Sequence, residues 1–312
     1  DEVAEIPFDR ALSDRDLVST AEYTRAGYQL EHRFNEAWQL RNAFYYTRYD
    51  TSIFVGFGPG FNEATGTSLS APVRLDQPAG SLDFQNNVVG EFSTGTIDHT
   101  LLAGVDLYRW RDDDSEARGD LTNVDRLNIF NPDYDSLVIP DFDSAPVVLS
   151  SNGTTDNVGV YVQDQLTLLE NLKLLVGVRY DTVTQDSFNA NVFNPQGTDT
   201  SRTDEAFSPR VGVVYQPIEA VSLYGSYSRS FAPNFGTTMG GGILDPERGE
   251  QFEIGTRAEL LEGRLVANLA LFNIVKENVA TTDPNNQLFS VAIGEQRRRG
   301  VELDVMGEVL PG

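Results

Sequence analysis

Side chains suited to chemistry gather in a few places along the sequence. Tyr108, Arg109 and Trp110 stand in a row, a run that can hold a ligand by stacking and by charge. Phe231, Asn234 and Phe235 form a second candidate group, just before the flexible run Gly240-Gly241-Gly242. Arg297, Arg298 and Arg299 are the densest basic cluster. Asp112-Asp113-Asp114 with Glu116 opens a stretch, 112–155, that holds ten acids and two bases. Several carboxylates together suit a hard cation such as calcium. Each group also has a plainer reading. The first fits an aromatic belt at a membrane interface, and the second a mobile loop. The acidic stretch reads as a solvated loop, because the spaced D-x-[DN]-x-[DN]-G pattern is absent. His32 and His99 have nothing beside them to complete a metal site, and no catalytic constellation stands out.

Composition narrows the classes. The chain has 312 residues, with 23 Lys plus Arg against 47 Asp plus Glu, a net charge of −24. An acidic balance argues against nucleic acid, which needs a basic face. Without cysteine there is no disulfide framework, thiolate zinc site or cysteine nucleophile. No apolar run reaches the roughly 18 residues of a membrane helix.

The elements that must position these side chains are strands. Val158, Val160 and Val162 alternate with Tyr161, Gln163 and Gln165. Leu172, Leu174, Val176, Val178 and Tyr180 alternate with Lys173, Gly177, Arg179 and Asp181. Phe252, Ile254, Thr256, Ala258 and Leu260 oppose Gln251, Glu253, Gly255, Arg257 and Glu259, and Val301, Leu303, Val305 and Val309 oppose Glu302, Asp304 and Glu308. The pattern predicts eleven strands: 22–34, 38–54, 82–93, 97–111, 157–169, 172–186, 206–217, 221–231, 250–261, 264–280 and 291–309. Short turns join them in pairs at Asn35-Glu36-Ala37, Ser93-Thr94-Gly95, Glu170-Asn171, Glu219-Ala220 and Glu262-Gly263. Longer polar connections, 55–81, 112–155, 187–204, 232–248 and 281–290, join the pairs to one another.

Tight turns at one end and long loops at the other describe an all-β, antiparallel transmembrane β-barrel. One face is aliphatic with aromatics near its ends, among them Trp38, Tyr46, Tyr180 and Tyr215; the other is charged and glycine-spaced. Bacterial barrels have even strand numbers, so eleven strands and ends that read as cut predict an incomplete wall. A soluble antiparallel sheet with one wet face, such as an acidic calcium-binding adhesin, is the competing fold. A passive porin is the competing barrel.

The run from Gly159 to Gln165 into Leu172-Lys173-Leu174-Leu175-Val176-Gly177-Val178-Arg179-Tyr180-Asp181 resembles a hairpin of the TonB-dependent ferric-siderophore receptors. The likeness continues in Phe207-Ser208-Pro209-Arg210-Val211-Gly212, in Leu223 to Phe231, in Pro246 to Gly255, in Gly294 to Leu303 and, upstream, in Tyr28 to Phe34. The resemblance implies a barrel of twenty-two strands in the outer membrane of a Gram-negative bacterium. It implies a transporter and not an enzyme, with no cofactor of its own, iron being carried as the siderophore chelate. A plug domain that contacts the TonB complex is implied as well, and no such segment precedes Asp1 in this sequence, so about half a barrel wall is expected. Its partners would be the ferric siderophore, TonB through that plug, and lipid and lipopolysaccharide.

Within that frame, Tyr108, Arg109, Trp110, Phe231, Asn234 and Phe235 become candidates to grip a catecholate or hydroxamate chelate. If Val301 and Leu303 face lipid, Arg298 faces inward and Arg297 and Arg299 outward. Arg298, with Arg179, Glu253, Arg257, Glu302 and Asp304, would then hold the plug by salt bridges or pair across strands within the wall. Haem, cobalamin, nickel or oligosaccharide receptors are other members the resemblance admits.

Overall fold

A computed structural model describes residues 17–307, apart from 63, 123, 235–237, 239–241 and 285. Twelve strands make one sheet: β1 (Thr20–Arg33), β2 (Trp38–Asn62), β3 (Thr67–Thr94), β4 (Ile97–Arg118), β5 (Asp125–Asn128), β6 (Val147–Leu169), β7 (Leu172–Asn191), β8 (Asn194–Ile218), β9 (Val221–Ala232), β10 (Glu247–Leu260), β11 (Leu265–Asp283) and β12 (Asn286–Gly307). Eleven follow one another in chain order as an antiparallel meander, and β5 pairs on the side with β3.

The eleven expected strands are the eleven of that path, and all five short turns are turns. At the first, Asn35 Oδ1 accepts from the backbone N–H groups of Ala37 and Trp38, both at 2.9 Å. At the second, Gly95 takes φ +66°, a left-handed conformation that a residue with Cβ resists.

At the other end the strands run well past their expected limits. β2 and β3 continue through 55–81, β7 and β8 through 187–204, and β11 and β12 through most of 281–290. Clear of the membrane both faces are wet, so the apolar alternation that marks a strand disappears although the ladder continues. Thr and Ser take over there: Ser187 Oγ meets Thr200 Oγ1 at 3.2 Å and Thr184 Oγ1 meets Thr203 Oγ1 at 3.0 Å. Two prolines of the 55–81 stretch sit at breaks of register. Pairing shifts between Phe57 and Gly60, across Pro59, and between Asp76 and Ala79, across Pro78.

The 112–155 stretch is not simply a loop. β4 runs to Arg118, β5 pairs Asp125–Asn128 with Ser70–Thr67, and β6 begins at Val147. Ala71, Val73, Leu127, Ile129 and Phe142 are buried together there, and Phe54 meets Phe142 with ring centroids 5.2 Å apart. This small apolar core caps the outer ends of β2–β4.

Register assigns the faces. Val160 opposes Tyr180, Val162 opposes Val178, Val176 opposes Val211, Ile254 opposes Leu271 and Leu271 opposes Val301. These side chains form one continuous outward band. Ile254, Val301 and Leu303 are 60%, 65% and 67% exposed. Keeping each of them in water forgoes about 1.5–3 kcal/mol of burial energy, so a band of them calls for an apolar solvent. Phe34, Trp38 and Phe92 rim the band at the turn end, with Trp38, Phe92 and His99 stacked in a row at 6.3 and 4.8 Å. His99 is held by Thr94 Oγ1 on one ring nitrogen and Asp164 Oδ2 on the other, each at 2.6 Å. Tyr180 with Phe207 and Tyr227 with Phe252 mark the opposite rim.

Candidate functional site

The inner face carries the polar chemistry. On β4 the period of two places Asp106, Tyr108 and Trp110 inward and sends Arg109 outward, where it pairs with Asp156 at 2.5 Å. The run Tyr108-Arg109-Trp110 therefore does not converge on one ligand. Tyr108 and Trp110 also do not belong to the outer aromatic belt, because their parity is that of the lumen. They join Tyr23 of β1 and Tyr49 of β2: the ring centroids of Tyr23 and Tyr49 lie 5.6 Å apart, and those of Tyr49 and Trp110 5.4 Å. Arg25 lies 4.0 Å over the ring of Tyr45 on the same face. Together they form an inward aromatic patch at the outer end of the lumen.

Below this patch lies a fixed ionic network. Arg179 reaches Asp106 at 2.5 Å and Asp181 at 2.9 Å, and stands 5.3 Å over the ring of Tyr161. Gly159 makes room for it, since a Cβ there would come within 1.9 Å of the Arg179 guanidinium. Farther round the wall, Glu253 accepts from the Tyr224 hydroxyl at 2.7 Å and from Gln251 at 2.9 Å, while Arg257 pairs with Glu259 at 3.0 Å. Arg179, Glu253 and Arg257 thus spend their charge within the wall. No register shift interrupts β12 between Arg297 and Leu303, so Arg298, Glu302 and Asp304 lie on the inner face. Arg297 and Arg299 lie outward, bound to Glu295 at 3.0 Å and Asn273 at 2.8 Å.

The second candidate group divides as well. Phe231 pairs with Arg248 across β9–β10 on the outward parity. Asn234 is only 8% exposed, and its amide donates to the carbonyls of Asp245 and Asn278 while its own carbonyl accepts from Gln185 Nε2 at 3.1 Å. Its side-chain amide N–H groups and its backbone carbonyl tie backbone together. Phe235 lies outside the described residues.

The acidic run is equally committed. Asp113 is bound by Arg48 at 2.5 Å and Arg111 at 2.6 Å, Asp112 by Ser115 at 2.6 Å, and Asp114, with φ +63°, by Asn152 at 2.7 Å. Among the described residues no group of three or more metal-ligating side chains assembles. Above the wall, the hydrogen bond of Arg74 to Asp143 and that of Arg202 to Asp204 each hold the guanidinium above its ordinary pKa.

Sequence reasoning passed over Tyr23, Tyr49, Asp106 and Tyr161. Their signal was parity: Asp106, Tyr108 and Trp110 stand at i, i+2 and i+4, and a strand unites that set and separates Arg109.

A consecutive antiparallel meander with an apolar outer band, aromatic rims, a polar inner face and tight turns at one end is the wall of a transmembrane β-barrel. Residues 5–309 match the family described as TonB dependent receptor-like, beta-barrel. The chain belongs to that family and forms part of an integral β-barrel of the outer membrane. It is 34% identical over 284 residues to the metal-pseudopaline receptor CntO of Pseudomonas aeruginosa, a match spanning 90% of this chain and 39% of that one. It is 32% identical over 299 residues to the ferrichrome outer membrane transporter/phage receptor of Escherichia coli, spanning 89% and 39%. The ferric-catecholate import receptor Fiu of E. coli superposes with a TM-score of 0.74 at 20% identity, over 98% of this chain and 48% of Fiu. The chain spans well under half the length of the curated relatives it matches.

Proposed function

We propose that this chain is part of the wall of a receptor that takes up ferric siderophores through the outer membrane, driven through TonB by way of a plug domain. On this reading it is a transporter, not an enzyme, and iron is cargo. The observation that carries the reading is the inward patch of Tyr23, Tyr49, Tyr108 and Trp110 at the outer end of the lumen. Aromatic rings over a polar floor suit a chelate that is itself ringed or polar-faced. The relatives' names support the class, since both are called after receptors or transporters of metal chelates or ferrichrome. Inner-face residues Arg298, Glu302 and Asp304 are proposed to meet the plug.

Titrating the full-length receptor with ferric hydroxamate and ferric catecholate chelates tests the reading. Trp110→Ala is expected to weaken binding about tenfold, ~1.4 kcal/mol, whereas the outward variant Arg109→Gln is expected to bind as wild type does. If no metal chelate bound, and small uncharged solutes passed freely, a porin would replace the receptor.

A further inference from the structure

One inward carboxylate at the foot of the aromatic patch stands without a partner. Asp83 of β3 lies in a single row of the ladder between Tyr45 of β2 and Tyr108 of β4. The inner-face acids around it are held: Arg179 binds Asp106 and Asp181, Ser115 binds Asp112, and Arg202 binds Asp204. Asp83 has no hydrogen bond or ion pair among the described residues, and it is partly exposed.

Its neighbours are committed elsewhere. Tyr45 leans toward β1. Its ring fills the space above Gly27, where a Cβ would come within 2.5 Å of Cδ1, and its hydroxyl accepts from Gln29 Nε2. Arg25 of β1 is two strands away from Asp83 and lies over that same ring. Toward the mouth the next inward residues of β3 are the short Ser81 and Ala79. There Tyr49 and Trp110 close across β3, above an Ala79 only 6% exposed. Asp83 therefore has rings on both sides and above, and no cation. The floor beside it is itself negative, since Asp106 and Asp181 share one Arg179.

An unpaired carboxylate among rings has a specific unmet need. Ring faces are the negative side of the aromatic quadrupole, so they add to the pull of the carboxylate on a cation and oppose an anion. A neutral hydroxyl would answer the carboxylate alone and gain nothing from the rings. An ammonium group uses both, with N–H donors for the oxygens and a compact charge for the rings.

We propose that Asp83 is a specificity-determining residue of the lumen, and that the chelate taken up carries an ammonium group that seats on it between Tyr45 and Tyr108. The proposal rests on the receptor reading and adds the charge of the ligand to it.

The test is a titration of the full-length receptor with matched ferric chelates that differ only in one pendant amine, left free as the ammonium or capped by acetylation. One pair is a trihydroxamate and the other a tricatecholate. Wild type is expected to bind the ammonium form about tenfold more tightly in the pair it accepts, and added salt to narrow the difference. Asp83→Asn keeps the shape of the side chain. It is expected to bind both forms alike, at the wild-type affinity for the acetylated one, while Asp83→Glu keeps part of the preference. The wild-type comparison needs no variant, so it stands even where a variant fails to fold. Equal binding of the two forms by wild type would overturn the proposal. So would a folded Asp83→Asn that kept the preference; a cation of the plug would then be the partner of Asp83. Binding of no chelate from either pair would instead overturn the receptor reading, and the proposal with it.

Discussion

The outer ends of the wall are finished in two different ways. Over β2–β4 the chain builds a cap: β5 adds to β3, and Ala71, Val73, Leu127, Ile129 and Phe142 close a small core. Arg48, Arg74 and Arg118 pair with acids around it. Over β7–β10 apolar burial is smaller among the described residues, with Val183, Ala206 and Leu244 buried beside the polar Gln185 and Asn234. β8 and β9 separate above Arg210 and Ser228, and the crossing contacts are polar: Arg202 to Asp245 at 2.8 Å, Arg248 to the Glu205 carbonyl and Gln185 to the Asn234 carbonyl. Apolar burial dominates on the first side and polar contacts on the second. The Arg202–Asp245 pair is exposed and worth little net, while Gln185 and Asn234 meet in a buried place; with less apolar burial the second side is expected to open more readily.

Substitutions can break or sharpen that contrast. Phe142→Ala should have the largest effect, about 3–5 kcal/mol of local stability, because it empties the cap's core; protease protection of 119–146 in the full-length protein would fall sharply. Asn234→Ala should cost less, about 1–3 kcal/mol, since two backbone carbonyls lose their donor. Hydrogen exchange in the described parts of the β9–β10 connection would rise while exchange in the cap stayed unchanged. Arg202→Ala should cost less than Phe142→Ala: the pair with Asp245 is exposed and screened, and the loss falls mainly on Asp204, 13% exposed, which loses its partner. If Arg202→Ala proved as damaging as Phe142→Ala, the contrast between an apolar and a polar finish would be mistaken.

How far the sequence reveals this depends on what surrounds each strand. Where lipid covers one face, as at Val158–Val162, Leu172–Tyr180 and Val301–Val305, alternation marks the strand and its orientation. The five tight turns are legible for a local reason, since each is fixed by its own residues, as Asn35 fixes the first. The extensions beyond the membrane are hidden because Thr, Ser and Asn serve both faces equally. β5 is hidden because it exists only through its pairing with β3, some sixty residues away. The candidate ligand group illustrates the same limit. Tyr108, Arg109 and Trp110 looked like a unit as neighbours in sequence, yet period two divides them. Tyr49 and Tyr23 complete the patch from strands that sequence distance does not connect. Asn234 attracted attention for its polarity, and burial makes it a fastener.

The unbroken chain order of the meander has a consequence for how such a wall can be made. Every strand of the main path lies beside its sequence neighbour, so each hairpin is a self-contained insertion unit whose register its own turn sets. An added residue within the Asn35 turn would therefore invert every side chain of one strand with respect to its neighbour, whereas an added pair of strands would leave all others facing as before. Wall circumference is thus open to change in steps of one hairpin, while a change of a single residue at a turn is closed off.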